Sequence, residues 1–355
     1  MSTPTTPAEA ASGSTPVAAE GFKGPAPESP GRPDRTEGPE GTDPRDRLVA
    51  VRSEVAKAVI GQEAAVTGLV ITMLAGGHVL LEGVPGVAKT LLVRSLAQAM
   101  NAHTKRIQFT PDLMPGDVTG SLIYDARSSA FSFREGPVFT NLLLADEINR
   151  TPPKTQAALL EAMEEHQVSI DGEPRSLPDP FMVIATQNPV EYEGTYPLPE
   201  AQLDRFLLKL VLPLPERAQE IEVLSRHAAG FDPHDLAGAG LRAVAGPDDL
   251  SVARAQVRTV GASAEVLGYI VDLVRATRVS PSVALGVSPR GAAALLATAR
   301  AWAWLSGRSF VTPDDVKALA LPALRHRLRL RAEAEMEGVT TESVINGVLR
   351  AVPVP

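Results

Sequence analysis

The segment that most restricts the fold is a glycine-rich stretch, Gly83 to Thr90, between an apolar run and a helical pattern. His78–Glu82 before it is typical of a short buried strand, and Leu91–Met100 after it has the apolar spacing of a helix. At such a junction backbone N–H groups converge, and the helix dipole favours negative charge. The segment therefore predicts a phosphate-binding loop, with an ordinary strand-to-helix connection as the alternative.

The chemistry of this loop would depend on its last residues. Lys89 is placed to reach the β- and γ-phosphates of a nucleotide, and the Thr90 hydroxyl is suited to Mg²⁺. The usual pattern has glycine where this chain has Ala88, although Gly86 supplies a flexible position two residues earlier. The predicted nucleotide contacts are Gly83, Val84, Pro85, Gly86, Val87, Ala88, Lys89, Thr90 and Leu91.

Polar residues also end two further strand-like runs. Asn141–Asp146 is followed directly by Glu147, and Pro180–Asn188 ends in an asparagine. In a parallel sheet, ligands bind at the carboxyl ends of the strands, so these side chains are expected beside the phosphate loop. Asp146 would hold Mg²⁺, and Glu147 would polarise the attacking water. Asn188 would contact the γ-phosphate or position the water; a helix cap or a turn asparagine is the structural alternative.

Two arginines complete the candidate set. Arg205 follows Leu203-Asp204, and Arg290 lies in Ser-Pro-Arg-Gly at the start of a helical pattern. A planar guanidinium is suited to the charge spread over the γ-phosphate oxygens during phosphoryl transfer. Each arginine could instead form a surface salt bridge.

The patterning divides the chain into three parts. Residues 1–44 contain 9 of the 31 prolines and few apolar residues, which predicts a disordered tail ending near Asp43 and Pro44. Residues 45–214 alternate short apolar runs with helical stretches, which predicts an α/β domain with a parallel sheet. Residues 215–355 predict an all-helical domain, with Pro322 interrupting or ending one of its helices. Its predicted helices are Glu216–Ala229, Ala262–Val279, Pro289–Leu305 and Pro313–Leu321.

Composition excludes several classes of protein. There is no cysteine, so disulfides, thiolate metal sites and cysteine nucleophiles are excluded. The formal charge of −8 argues against a general nucleic-acid-binding protein. No apolar run reaches the roughly 18 residues of a membrane span, and the first residues do not resemble a secretory signal. We expect a cytoplasmic protein without nucleic acid as a partner.

Taken together, these motifs resemble the MoxR branch of the AAA+ ATPases over about residues 47–350. The resemblance implies an AAA+ P-loop core with a parallel sheet, followed by an all-α lid domain. Besides the phosphate loop, the segments that carry it are Phe109–Pro115, Gly136–Asn141, Asp146–Arg150, Thr186–Pro189 and Glu193–Phe206.

The resemblance also implies a role for each residue. Lys89 and Thr90 would form the Walker A motif, with ATP and Mg²⁺ as the ligands, and Asp146 with Glu147 would form Walker B. Asn188 looks like sensor 1. Arg205 looks like the arginine finger, which acts on the nucleotide of the neighbouring subunit. Arg290 looks like sensor 2, which acts on the nucleotide of its own subunit. Ile60 and Gly61 are placed like the residues that contact adenine.

The family implies a function as well. A finger acting in trans requires an oligomer, expected as a hexameric ring. ATP hydrolysis would drive chaperone-like remodelling of client proteins or insertion of a metal or cofactor, with a von Willebrand A-domain protein as partner. A loop or hairpin inserted between Gln108 and Asn141 and a second hairpin around Asp171-Gly172 could face the client or be plain surface loops. A magnesium-chelatase-like motor subunit and a nucleotide-gated scaffold with little turnover are the alternatives.

Overall fold

The computed structural model describes residues 43–126, 129–188 and 195–355. The predicted tail therefore lies outside the described residues, except for its last two. Helix formation begins where the sequence predicts it: Pro44 is the first helical residue, and the Asp43 side chain accepts a hydrogen bond from the Arg45 N–H at 2.9 Å. An acidic cap of this kind satisfies a backbone donor that has no partner within the helix.

The described chain alternates helices and strands in its first half and is mainly helical in its second. The helices are α1 (Pro44–Ala56), α2 (Glu63–Ala75), α3 (Lys89–Ala99), α4 (Pro115–Thr119), α5 (Pro153–Glu165), α6 (Glu200–Leu203), α7 (Arg217–Ala228), α8 (Pro247–Arg258), α9 (Ala264–Val279), α10 (Pro289–Leu305), α11 (Pro313–Leu324), α12 (Ala332–Met336) and α13 (Thr341–Ala351). The strands are β1 (Val79–Glu82), β2 (Thr104–Gln108), β3 (Gly120–Asp125), β4 (Ala130–Glu135), β5 (Leu142–Asp146), β6 (Gln167–Ile170), β7 (Glu173–Ser176), β8 (Met182–Gln187), β9 (Leu208–Val211), β10 (Val283–Leu285) and β11 (Arg329–Leu330).

Five strands form one parallel sheet in the order β2-β5-β8-β1-β9. The predicted α/β fold with a parallel sheet is thus confirmed. The three strands predicted from apolar runs, β1, β5 and β8, are its central strands. The edge strand β2 escapes prediction because its sequence, Thr-Lys-Arg-Ile-Gln, is mostly exposed and charged. All five carboxyl ends therefore lie along one edge of the sheet.

Each face of the sheet has its own apolar core, because successive side chains of a strand point to opposite sides. Leu81 and Leu144 lie in a core shared with α1, α2, α3 and the C-terminal helices. Leu80 and Leu143 lie in a second core with Phe206 and residues of α5. Since the first core continues from the sheet into the C-terminal helices, the two predicted domains share packing.

The C-terminal part contains the four predicted helices and, in addition, α8, α12 and α13. The short strands β10 and β11 pair antiparallel within it, and the sequence pattern does not indicate them. The expectation that Pro322 interrupts or ends its helix is wrong, since α11 includes Pro322 and continues to Leu324. Proline removes one backbone hydrogen bond, but Pro322, Ala323 and Leu324 are all buried. Their burial offsets the lost bond.

Both predicted insertions form hairpins. Strands β3 and β4 pair antiparallel before the central strand β5. Strands β6 and β7 pair around Asp171 and Gly172, whose φ angles are +54° and +82°. Two successive positive φ angles are what a two-residue type I′ turn requires. None of the helices in the described part of the chain is long and apolar enough to cross a bilayer.

His78, at the amino end of β1, joins the central sheet to α5. Its Nδ1 accepts a hydrogen bond from the Val183 N–H at 3.0 Å, and its Nε2 lies 3.0 Å from the Met163 carbonyl oxygen. Nε2 therefore carries the proton, and the ring is neutral. Burial lowers the pKa of His78 to about 4, so that the charged form is disfavoured in the folded protein.

We therefore expect acid to destabilise the fold through His78. The unfolded chain binds a proton at this ring below about pH 6.5, whereas the folded chain binds it only near pH 4, so stability falls as the pH falls between these values. Lowering the pH from 7 to 5 should reduce the free energy of unfolding by about 2 kcal/mol from this residue alone. Urea unfolding at both pH values measures the change. His78→Gln should show a smaller decrease; an identical decrease would remove His78 as the cause.

Candidate functional site

The loop between β1 and α3 has the backbone of an anion cradle. Gly86 and Ala88 have φ angles of +90° and +59°. At Gly83 a Cβ would lie 3.1 Å from both the Leu212 carbonyl oxygen and a Val87 methyl, so glycine permits the close approach of two chain segments. Alanine in the left-handed region is strained by about 1 kcal/mol. Ala88 tolerates it within the loop, which shows that the departure from the usual glycine leaves the turn intact.

The start of α3 fits a phosphate group. The helix has no side-chain cap at its N-terminus and no acidic residue in its first turn, so the positive end of its dipole favours an anion. The Lys89 ammonium donates to the Gly83 carbonyl at 2.8 Å, which folds the side chain back over the loop. Thr90, next in this first turn, is partly exposed. These features suit the binding of a phosphate chain with an accompanying Mg²⁺.

The segment predicted to contact adenine lies at the same end of the sheet. Gly61, which follows Ile60, has a φ angle of +74°, and a Cβ there would meet the Gln219 side chain of α7 at 2.6 Å. Gln62 donates to the Pro213 carbonyl at 3.1 Å. Pro213 follows Leu212, which packs on the first residue of the phosphate loop. The segment is thus anchored close to that loop.

Asp146 is fixed by two neighbours at the end of β5. The Thr186 hydroxyl donates to its Oδ1 at 2.5 Å, and Arg106 donates to its Oδ2 at 2.7 Å and 3.1 Å. The same Thr186 oxygen accepts the Glu147 N–H at 2.9 Å. Asp146 is buried. One threonine on β8 therefore orients both acidic residues.

Glu147 is held in a defined position beside it. Its backbone is left-handed, with a φ angle of +56°, which turns the chain sharply after the strand. Its Oε2 accepts hydrogen bonds from Gln108 Nε2 at 2.7 Å and from Arg150 at 3.0 Å. The orientation of the carboxylate is thus fixed by hydrogen bonds from side chains of β2 and of the turn that follows β5.

The sheet order brings the predicted residues together. Strand β8 lies between β5 and β1, so buried Asn188, just after β8, is flanked by Asp146 on one side and the phosphate loop on the other. Carboxylate and hydroxyl oxygens, from Asp146 and Thr90, are the donors that Mg²⁺ prefers. The site thus has the residue types that a Mg²⁺–nucleotide complex requires.

The site also contains four residues that the sequence pattern does not identify: Arg106, Gln108, Arg150 and Thr186. Arg106 and Gln108 lie on β2, an exposed and charged edge strand that carries no strand signal. Thr186 and Arg150 lie inside the quoted motifs, but nothing in the pattern shows which neighbours they contact. No apolar alternation marks β2; only once the strand is known does its geometry place Arg106 and Gln108 on the same side.

The two arginines lie together, away from this loop. Arg205 forms an ion pair with Glu164 of α5 at 2.7 Å and donates to the Leu160 carbonyl at 2.7 Å. Arg290, at the start of α10, lies 3.5 Å from the other oxygen of the same Glu164 carboxylate. One carboxylate thus gathers both guanidiniums, although Arg205 and Arg290 are far apart in sequence.

This cluster lies at the amino edge of the sheet. Met163, next to Glu164, contacts His78 immediately before β1, and the Leu207 N–H donates to the His78 carbonyl at 2.7 Å. The phosphate loop begins at the other end of β1, about 13 Å away at the usual rise per residue. The expectation that Arg290 reaches the nucleotide of its own subunit is therefore not met. The structure places it with Arg205 at the opposite edge.

Comparison with known proteins agrees with this geometry. Residues 78–208 match the ATPase family associated with various cellular activities (AAA), and residues 275–348 match an AAA lid domain. The chain is 52% identical to the uncharacterized protein YeaC of Bacillus subtilis over 80% of this chain and 87% of that protein. It is 42% identical to the chaperone MoxR1 of Mycobacterium tuberculosis over 85% of this chain and 81% of that protein.

A solved structure is similar over most of its length. The crystal structure of a candidate ATPase from Cytophaga hutchinsonii superposes with a TM-score of 0.81 at 42% identity, covering 88% of this chain and 96% of that one. Sequence identity at this level over most of both chains, together with the phosphate loop and the two acidic residues beside it, establishes the family. The chain belongs to the MoxR family of AAA+ ATPases.

Proposed function

We propose that the chain is a Mg²⁺-dependent ATPase that acts as a homo-oligomeric ring, expected to be a hexamer in the cytoplasm, and remodels client proteins. One observation carries the proposal: Arg205 and Arg290 lie at the edge of the sheet opposite to the phosphate loop of their own subunit. A single subunit therefore presents an incomplete site at one edge of the sheet and two guanidiniums at the opposite edge. A head-to-tail arrangement of subunits would bring the two halves together.

In this proposal each residue has one task. The α3 N-terminus and Lys89 bind the phosphates, and Asn188 contacts the γ-phosphate or the attacking water. Glu147, oriented by Gln108 and Arg150, accepts the proton of that water. Thr90 and Asp146 would hold Mg²⁺, which offsets the negative charge of the phosphates.

The neighbouring subunit would supply the remaining charge. Arg205, as the arginine finger, and Arg290 stabilise the charge that develops on the γ-phosphate. Both would have to exchange their contact with Glu164 for the nucleotide when subunits associate. The Glu164 side chain is 39% exposed, so this exchange does not require unfolding of a core.

The assembly proposal has a direct test. The rate of ATP hydrolysis per subunit should rise with protein concentration, because each site needs a neighbour, and EDTA should abolish it. Phosphate release and light scattering measured on the same dilution series give both quantities. A rate per subunit that stays constant while the particles dissociate into monomers would contradict the ring.

The β3–β4 hairpin is our candidate for client contact. It exposes Tyr124 and Phe131, whose rings pack at 5.2 Å between centroids, and large exposed aromatic groups are enriched at protein interfaces. The family suggests a client with a von Willebrand A-type domain and a role in maturation or in metal or cofactor insertion. In the same phosphate-release assay, a purified von Willebrand A-domain protein should change the turnover of the wild type and not that of Phe131→Ser. An equal response of both would exclude the hairpin.

A further inference from the structure

A buried arginine of the C-terminal part donates hydrogen bonds to the segment that carries Arg205. Arg327, between α11 and β11, is 8% exposed. Its Nε donates to the Asp204 carboxylate at 2.6 Å, and its NH2 group donates to the Asp204 and Phe206 carbonyls at 3.1 Å and 2.7 Å. Its NH1 group donates to the Leu207 carbonyl at 3.1 Å. A single guanidinium thus binds the residues on both sides of Arg205.

The same pair reaches the start of α10, which carries Arg290. The Ser288 hydroxyl donates to the second Asp204 carboxylate oxygen at 3.0 Å and also caps the helix by accepting the Gly291 N–H at 3.2 Å. A Cβ at Gly291 would lie 2.9 Å from the Arg327 side chain, so the arginine packs directly on the helix backbone. The backbone next to Arg205 and the backbone next to Arg290 are therefore joined through Asp204 and Arg327.

Stability alone does not account for this arrangement. Removing a guanidinium from water opposes the gain from its ion pair, and apolar residues of similar volume often serve a core equally well. Burial lowers the pKa of Arg327, and the Asp204 carboxylate opposes this shift. What the pair supplies is geometry, since four directed hydrogen bonds fix residues 204–207 relative to the lid.

We infer that Arg327 and Asp204 are positioning residues that hold Arg205 and Arg290 in one arrangement, so that a subunit presents both guanidiniums to its neighbour as a unit. The inference rests on the proposed function. A displacement of about 1 Å in a catalytic group can lower a rate by about 100-fold, so a positioning role of this kind is measurable. The defect would appear in the subunit that donates the arginines and not in the subunit that binds the nucleotide.

Asp204→Asn is the variant that tests this, because it keeps the size of the side chain and removes its charge. We expect the turnover number of Asp204→Asn rings to fall by about 100-fold, while the affinity for a fluorescent ATP analogue stays within about threefold of the wild type. The matched control is Asp315→Asn, which removes the partner of Arg308 in a similarly shielded pair that caps α11. This control should lower the melting temperature but leave turnover unchanged.

Mixed rings separate positioning from a general defect. Lys89→Ala subunits keep their arginines, so mixing them with Asp204→Asn subunits should restore activity. Arg205→Ala subunits lack the finger, so mixing them with Asp204→Asn subunits should restore none. Restoration by Arg205→Ala, or no restoration by Lys89→Ala, would overturn the positioning role.

A reference mixture and a substitute variant distinguish failure of this inference from failure of the proposed function or of folding. The reference mixture combines Arg205→Ala with Lys89→Ala. If it recovers no ATPase activity, Arg205 does not act on the neighbouring subunit, and both the proposed function and this inference are wrong. If Asp204→Asn does not fold, Ser288→Ala replaces it, because it removes one hydrogen bond between Asp204 and α10. Ser288→Ala should show a smaller loss of turnover with the same pattern in mixed rings, and the opposite pattern would overturn the inference.

Discussion

Glu147→Gln is expected to lower the rate of ATP hydrolysis by about 1000-fold and to leave ATP binding intact, because a positioned general base contributes about 10²- to 10⁴-fold. The amide has the size of the carboxylate but cannot accept the proton of the attacking water. Lys89 and the α3 N-terminus, which would bind the phosphates, are unchanged. Phosphate release and the binding of a fluorescent ATP analogue measure the two properties separately.

The control for this prediction is Glu161→Gln, at an exposed position of α5. It makes the same chemical change away from the site and should retain full activity. Undiminished turnover in Glu147→Gln would show that another group is the base. Loss of both ATP binding and turnover would instead show that Glu147 is needed for the structure of the phosphate-binding site. Negligible turnover in the wild type itself would favour a nucleotide-gated scaffold.

Mixing two inactive variants should restore part of the activity. Arg205→Ala should lose about 1000-fold or more in turnover, which is the range of an arginine finger. Lys89→Ala should also be nearly inactive, because it removes the ammonium that would contact the β- and γ-phosphates. In a randomly mixed ring about a quarter of the interfaces pair an intact phosphate loop with an intact finger, so about a quarter of the wild-type activity is the upper limit. Turnover is measured over a series of mixing ratios, with its maximum expected near equal amounts.

The control mixture combines Lys89→Ala with Glu147→Gln. Both changes affect the same half of the site, so no interface in the mixed ring contains all the groups, and activity should stay at the level of the separate variants. No restoration in the first mixture would count against a finger acting in trans. Restoration of activity in the control mixture would mean that the neighbouring subunit supplies groups other than the arginines to the site.

Much of the nucleotide site was predictable because chain direction fixes where parallel strands end. The apolar runs identify β1, β5 and β8 as central strands, and their last residues must then lie at one edge. Asp146, Glu147 and Asn188 lie beside the phosphate loop in the structure for that reason. Ala88, at the end of the predicted phosphate loop, has the left-handed backbone that the usual glycine would adopt at this position.

Contacts of exposed or charged residues were not predictable in this way. Gln108 and Arg106 lie on an edge strand with a polar sequence, where no apolar period marks the strand. Pro322 has a strong local preference to end a helix, but burial of α11 outweighs it. In each case the deciding energy comes from segments distant in sequence, which a local pattern does not contain.

By itself the sequence determined the phosphate loop, the acidic strand ends and the family resemblance, because these depend on local chain geometry and on strand direction. Only the tertiary structure decided where Arg205 and Arg290 lie, that Glu164 contacts both, and that Asp204 and Arg327 hold their backbones. Glu164 and Arg290 are 126 positions apart. Their contact depends on how the lid packs on the sheet, and packing is set by the shapes and volumes of many residues together.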